Sequence, residues 1–188
     1  MTEFYTQNIK DEFSMAGVSK RHIDSILNNP TFRRYPASCM SQEGRPPKHH
    51  GEVGGLARHT YEVLRYAVAA AKPLSSVNLA ALMIGAVWHD FGKIEEYEQQ
   101  HEPTLFTRRT PQLSHICHGL MMWRENTGDL YLQDPPLFEA VAHIIASHHG
   151  RKEWGSPVEP QTIEALLVHQ ADMVSVMLDS DSNPTSRK

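Results

Sequence analysis

Apolar positions recur at helical spacing along most of the chain. Leu56, His59, Val63, Ala67 and Ala70 share one face of a helix that Pro73 ends. The next segment, "SSVNLAALMIGAVWHD", is apolar nearly all round and predicts a central buried helix stopped by Gly92. Three further helices are predicted by "QLSHICHGLMMWREN", "PPLFEAVAHIIASHHG" and "PQTIEALLVHQADMVSVML". Two of these carry proline in their first positions, and one of the two ends in glycine. Upstream, "SKRHIDSILNN" predicts a short helix with Ser19 as N-cap and Pro30 beyond its end. The loop "YPASCMSQEGRPPKHHGEVGG" follows it, and the mixed stretch from Ile94 to Pro111 predicts a short hairpin or an irregular loop. No repeat is visible, and no period-2 run is long enough to demand a sheet. The pattern is that of an all-α helical bundle. It divides into a helical leader over 1–18, a main domain over 19–178 and a polar, disordered tail over 179–188.

Composition narrows the class. A chain of 188 residues with 40% hydrophobic and 21% charged residues builds one globular domain with a real core. The longest apolar run, Leu79 to Trp88, is about half the length of a bilayer span. "MTEFYTQNIK" lacks the pattern of a secretory signal. Cys39 and Cys117 make neither a disulfide framework nor a CxxC knuckle, so the expected compartment is the cytoplasm. A net charge of -4 argues against extensive nonspecific binding to duplex nucleic acid. Arg33-Arg34, Arg45 to Lys48, Arg108-Arg109 and Arg151-Lys152 are local basic spots, each readable as a solvated surface pair.

The unusual number is 12 histidines, ten of them between His49 and His149. His59 shares the core-facing side of its helix with Leu56 and Val63. His89 and Asp90 end the buried helix, where the helix dipole disfavours a carboxylate. Burying that carboxylate without a partner costs several kcal/mol, so a cation is expected beside it. His115 and His118 lie three apart, as do His169 and Asp172, and His148-His149 closes a helix before Gly150. His22 and His101 read as surface or hydrogen-bonded residues, while His118 and His143 stay open between packing and function. Imidazole and carboxylate without thiolate suit Mn²⁺, Fe²⁺, Co²⁺, Ni²⁺ or Mg²⁺ better than a structural zinc.

A histidine, a His-Asp doublet and a distant aspartate (His59, His89-Asp90 and Asp172) form the pattern of the HD-domain metal-dependent phosphohydrolases, which this chain resembles. "YPAS", "HHGEVGGLARHT", "HDFGKIEEYE", "LSHICHG" and "HIIASHHGRKEWGSP" occur in the order found in the HD domain of YhaM-type 3′→5′ exoribonucleases, over roughly residues 20–178. The opening motif is also similar to the HD region of certain conjugative relaxases. The exoribonuclease family places an OB-type nucleic-acid-binding domain ahead of the HD domain, where this chain has only its helical leader. The resemblance therefore implies phosphodiester chemistry more strongly than it implies RNA.

The expected first metal site is His59, His89, Asp90 and Asp172. His115 with His148 or His149 is expected to complete a second site, with Asp90 bridging. Two ions are expected, manganese foremost, because paired metals can clamp both oxygens of an in-line displacement. Asp90 and Lys93 are the expected catalytic residues, Lys93 meeting a nonbridging phosphate oxygen. His50, Lys93, Arg151, Lys152 and Trp154 are expected at the substrate, Trp154 as a stacking surface. Gly54 and Gly55 are expected to let backbone amides approach a phosphate or a ligand-bearing loop. The function expected is a divalent-metal phosphodiesterase, a 3′→5′ exonuclease on short single-stranded RNA or DNA that releases nucleoside 5′-monophosphates. The alternatives are a phosphohydrolase of dNTPs or cyclic dinucleotides, and a non-catalytic metal- or nucleotide-binding module. A di-iron oxygenase on the same scaffold fits "HDFGK" less well. No membrane partner is expected, and a homo-oligomer is compatible with the sequence.

Overall fold

The computed structural model describes residues 2–40, 44–102, 104–109 and 112–182. The chain begins with α1 (Thr2–Met15), followed by two short helices, α2 (Asp24–Leu27) and α3 (Pro30–Arg34). The long helix α4 (Gly55–Ala71) and the buried helix α5 (Leu79–Trp88) come next. After them stand α6 (Lys93–Glu96) and a hairpin of β1 (Tyr97–Gln99) with β2 (Phe106–Arg108). The remainder is α7 (His115–Asn126), α8 (Leu130–Gln133), α9 (Pro135–Ser147), a single 3-10 turn over Lys152–Trp154, and α10 (Ile163–Ser182).

Helix α5 is the centre of the bundle. Every side chain from Ala81 to Trp88 is buried, as its unbroken apolar character requires. Asn78 starts it by accepting a hydrogen bond from the Ala81 amide at 3.0 Å. Helices α4, α9 and α10 pack around it, and α1 packs on α4 from outside. Gly85 lets α9 come close, since a Cβ there would lie 2.5 Å from Ile144. The leader is part of this core, because Ile9 and Phe13 on α1 are fully buried in it. No helix among the described residues is long and apolar enough to cross a membrane.

Several elements differ from the sequence expectation. The helix expected from Ser19 is only one turn, entered at Asp24 through a turn, and Ser19 caps nothing in it. Pro30 does more than follow that helix: it opens α3, where the Asn29 side chain accepts from the amides of Thr31 and Phe32. The buried face of α4 ends on Ala71, while Ala70 is exposed, because the stripe drifts around a 3.6-residue helix. Residues 179–182, expected in a disordered tail, belong instead to α10, which continues to Ser182. Asp179 accounts for this: its Oδ2 accepts from the His50 amide at 2.7 Å, and its Oδ1 pairs with Arg58 at 3.1 Å. Residues 183–188 lie outside those described. The segment after Ile94 resolves into the antiparallel hairpin, with Glu98 opposite Thr107; Pro111 lies outside the described residues.

Truncating Leu82 to alanine removes fully buried methyl groups from α5. The expected loss is about 2–5 kcal/mol of stability, read as a lower urea midpoint with an unchanged slope.

Candidate metal centre

The end of α5 carries the site. The helix stops at Trp88, and His89 and Asp90 follow in a tight turn held by the Lys93 amide, which donates to the Asp90 carbonyl at 3.0 Å. This turn drives the Asp90 carboxylate into the bundle, 2% exposed. Its two oxygens face two sets of side chains. Oδ2 lies 3.3 Å from Nε2 of His59 and 3.4 Å from Nε2 of His89. His59 Nε2 is also 3.2 Å from Oδ1 of Asp172, contributed by α10. Oδ1 of Asp90 lies 3.4 Å from Nε2 of His115 and 3.5 Å from Nε2 of His148. His149 joins this second set, with its donor atom within 4.8 Å of those of His115 and His148. Three helices and two helix-end turns thus bring together all seven residues expected to bind metal.

Each imidazole is turned by a bond on its other nitrogen. Nδ1 of His89 meets the Ala86 carbonyl at 2.8 Å, and Nδ1 of His148 meets the Ile145 carbonyl at 2.9 Å. Nδ1 of His149 meets the Trp154 carbonyl at 2.8 Å, and Nδ1 of His115 meets Glu96 Oε2 at 2.8 Å. Carbonyls and carboxylates only accept, so these Nδ1 atoms carry hydrogen, and in its neutral form each ring presents a bare Nε2 lone pair inward. His59 follows suit through the Ser175 hydroxyl, 3.0 Å from its Nδ1.

The consequence is electrostatic. Asp90 Oδ1, buried and without a hydrogen-bond donor, faces two nitrogen lone pairs. An acceptor surrounded by acceptors is stable only with positive charge between them. On the Oδ2 side some charge is already supplied. The Lys93 ammonium lies 2.5 Å from Oδ2, and His59, despite burial, is raised to about 9 by Asp172 and Asp90. Burial opposes ionisation of Asp90, yet Lys93 and then His89 hold it well below the usual carboxylate range. Burial, together with His148 and His115, pushes His149 down to about 3, so that ring stays neutral. Nitrogen and oxygen donors without thiolate, around an orphaned buried carboxylate oxygen, fit a divalent cation.

The remaining expected residues fall differently. Lys93 is at the site, but its ammonium rests on Asp90. His50, expected at the substrate, is fully buried: Nε2 donates to Glu62 at 3.0 Å and Nδ1 abuts His49 at 3.2 Å. It ties the loop down and has no nitrogen left for a substrate. His49, His50 and His59 group closely, but His50 has both nitrogens engaged, by His49 and Glu62, and His59 bonds Ser175 through Nδ1. The room at Gly54 and Gly55 is filled by the protein itself. A Cβ at Gly55 would meet the His50 carbonyl at 2.0 Å, and the Gly54 and Gly55 amides donate to Arg34 and Glu52 carbonyls. The glycines admit the histidine-bearing loop, and their amides are not open to a phosphate. Arg151 and Lys152 are exposed, and the Arg151 guanidinium lies over the Trp154 ring at 5.0 Å. Trp154 is 49% exposed and reaches the site through its carbonyl bond to His149. His143 stands apart, accepting from the Gln161 amide at 2.9 Å.

Three contributors, Glu96, Glu62 and Ser175, escaped the sequence reading, and His169, noted there beside Asp172, has a supporting place. Glu96 takes both the amide and Nδ1 of His115 and pairs with Arg108. Ser175 and Glu62 stand behind His59. His169 donates from Nδ1 to the His148 carbonyl at 2.8 Å, bracing the second set. The one available signal was helical spacing: Glu62 is three residues after His59, and Ser175 three after Asp172.

The chain belongs to the HD-domain family, whose model matches residues 56–177. Among curated proteins it is similar to the 3′-5′ exoribonuclease YhaM of Bacillus velezensis, 31% identical over 95% of this chain and 55% of that protein. The YhaM of Bacillus subtilis is 28% identical over 92% of this chain and 59% of its own length. That of Listeria monocytogenes is 32% identical over 79% of this chain and 44% of its own. The chain thus spans about half the length of the curated relatives it matches. No solved structure gives a significant match.

Burial works to raise the Glu62 carboxyl, but hydrogen bonds from His50 and Ser175 hold it down to about 2, from 4.5. Since the folded value is the lower, its contribution to stability is complete above pH 4.5 and disappears as pH falls toward 2. A Glu62→Gln chain is expected to lose Tm less steeply across that window than the unaltered chain. Equal slopes in parallel melts would contradict this assignment.

Proposed function

We propose that this chain is a divalent-metal phosphodiesterase that removes nucleoside 5′-monophosphates from the 3′ end of short single-stranded RNA or DNA. The observation that carries the reading is the division of Asp90, one oxygen toward His59 and His89 and the other toward His115 and His148. A carboxylate so placed suits two adjacent cations, with His59, His89, Asp90 and Asp172 holding one and His115, His148, His149 and Asp90 the other. Divalent ions there supply Lewis acidity toward phosphoryl oxygens and toward water. Manganese is our first choice among the metals that accept this donor set. The relatives named 3′-5′ exoribonucleases support phosphodiester chemistry directed at a 3′ end.

The protein's own groups then have distinct tasks. Asp90 and the inward Nε2 atoms hold positive charge against the scissile phosphate. Lys93, whose ammonium now rests on Asp90, is free to meet a nonbridging phosphate oxygen once that carboxylate is otherwise neutralised. Trp154 offers an exposed face to one base, and Arg151 and Lys152 bring charge to the adjoining phosphate. Among the residues around the centre, Trp154 is the one exposed aromatic assigned to the substrate, which suits a short strand. The same feature keeps a second reading in play, hydrolysis of a dNTP or cyclic dinucleotide. Unbridged Cys39 and Cys117 are consistent with work in the cytoplasm.

Asp90→Ala is expected to abolish both Mn²⁺ stoichiometry and turnover of a labelled oligonucleotide. Full activity in that variant would eliminate the mechanism. Trp154→Ala is expected to raise KM for an oligonucleotide by roughly 5- to 150-fold, the equivalent of about 1–3 kcal/mol of stacking, with kcat little changed. Assays across oligonucleotide lengths, dNTPs and cyclic dinucleotides decide the substrate. Turnover confined to mononucleotides, or strong preference for long RNA, would overturn the short-strand assignment.

A further inference from the structure

The two halves of the centre are backed in the same way. In the second set, His115 leans on the Glu96 carboxylate, which is itself paired with Arg108. In the first set, His89 leans only on a backbone carbonyl, and the corresponding carboxylate lies one atom further out. Ser175, fully buried on α10, gives its hydroxyl proton to Glu62 Oε2 at 2.8 Å. A hydroxyl has one proton to give, so toward His59 Nδ1, 3.0 Å away, the same oxygen must accept. An unbroken chain therefore runs from carboxylate to hydroxyl to imidazole, and the far nitrogen of that imidazole faces Asp90 and Asp172. Glu62 is held in turn by Arg58, whose Nε lies 2.9 Å from Oε1. Each half thus contains one imidazole backed by an arginine-paired glutamate.

We propose that Glu62 and Ser175 are an outer relay for the metal centre. They keep the Nδ1 proton of His59 in place and strengthen its Nε2 as a donor to the cation. Glu62 is a positioning residue: it touches neither ion nor substrate. It also accepts from His50 Nε2 at 3.0 Å, so the same carboxylate fastens the histidine-bearing loop to the centre. A carboxylate behind a ligating imidazole fixes the tautomer and raises its basicity, and losing such a partner typically costs about 10- to 100-fold in metal affinity. The proposal rests on the metal reading of His59.

The test is Mn²⁺ titration of the full chain by calorimetry, with metal-free melting curves run alongside. Glu62→Gln and Ser175→Ala should each weaken Mn²⁺ binding roughly 10- to 100-fold. Because both lie on one path, the double variant should bind no more weakly than Glu62→Gln alone. Should Glu62→Gln fail to fold, Ser175→Ala, which removes a single hydroxyl, carries the test. A variant that loses melting temperature yet binds Mn²⁺ within threefold of the unaltered chain would overturn the relay, as would additive losses in the double variant. If the unaltered chain itself takes up no Mn²⁺, the metal reading falls and the relay with it. If the unaltered chain binds and the variants bind equally, the relay alone falls.

Discussion

One buried carboxylate organises this protein. Asp90 sits buried at the carboxyl end of an apolar helix, where the dipole is negative, so its charge calls for positive charge held among donor atoms brought from elsewhere. Those donors come from α4, α7, α10 and the turn after α9. The bundle is therefore arranged so that the inner ends of its helices converge on one point, while the flanks of those helices bury the hydrophobic core. Stability and site are coupled through α5, which fills the centre of the one and terminates in the other.

The inward nitrogens are set by what lies behind them. Three of the histidines are turned by carbonyls of their own helix end or of the adjoining turn, a device that needs no extra side chain. His59 and His115 sit earlier in their helices, where carbonyls are committed to the helical ladder, and they draw instead on Ser175 with Glu62 and on Glu96. Placement along the helix thus decides which kind of outer partner each imidazole has. Membership of the HD-domain family accords with this layout.

Much of this was legible in the chain itself. A helix apolar on every side must be central, and a His-Asp doublet at its end has no comfortable explanation without a cation. His59 was legible because it occupies a core-facing position where an imidazole packs poorly. Glu62, Glu96 and Ser175 were not, since a glutamate or serine on a helix is ordinary and nothing local marks it as the partner of a residue on another helix. His50 was misread, and the Gly54-Gly55 pair was left between a phosphate and a loop, for a related reason. Glycines at a helix start have the same signature whether a phosphate or the protein's own loop approaches them.

By itself, the sequence determined the long helices from α4 onward, the buried status of α5 and the types of donor available, because periodicity and residue chemistry are local properties. Only the tertiary structure decided which donors share an oxygen of Asp90, that His50 is spent on Glu62 and that His143 stands aside. Those outcomes depend on crossing angles and loop paths between segments more than a hundred residues apart, such as His59 and Ser175. Packing of the whole core sets them, and no short stretch of chain encodes it.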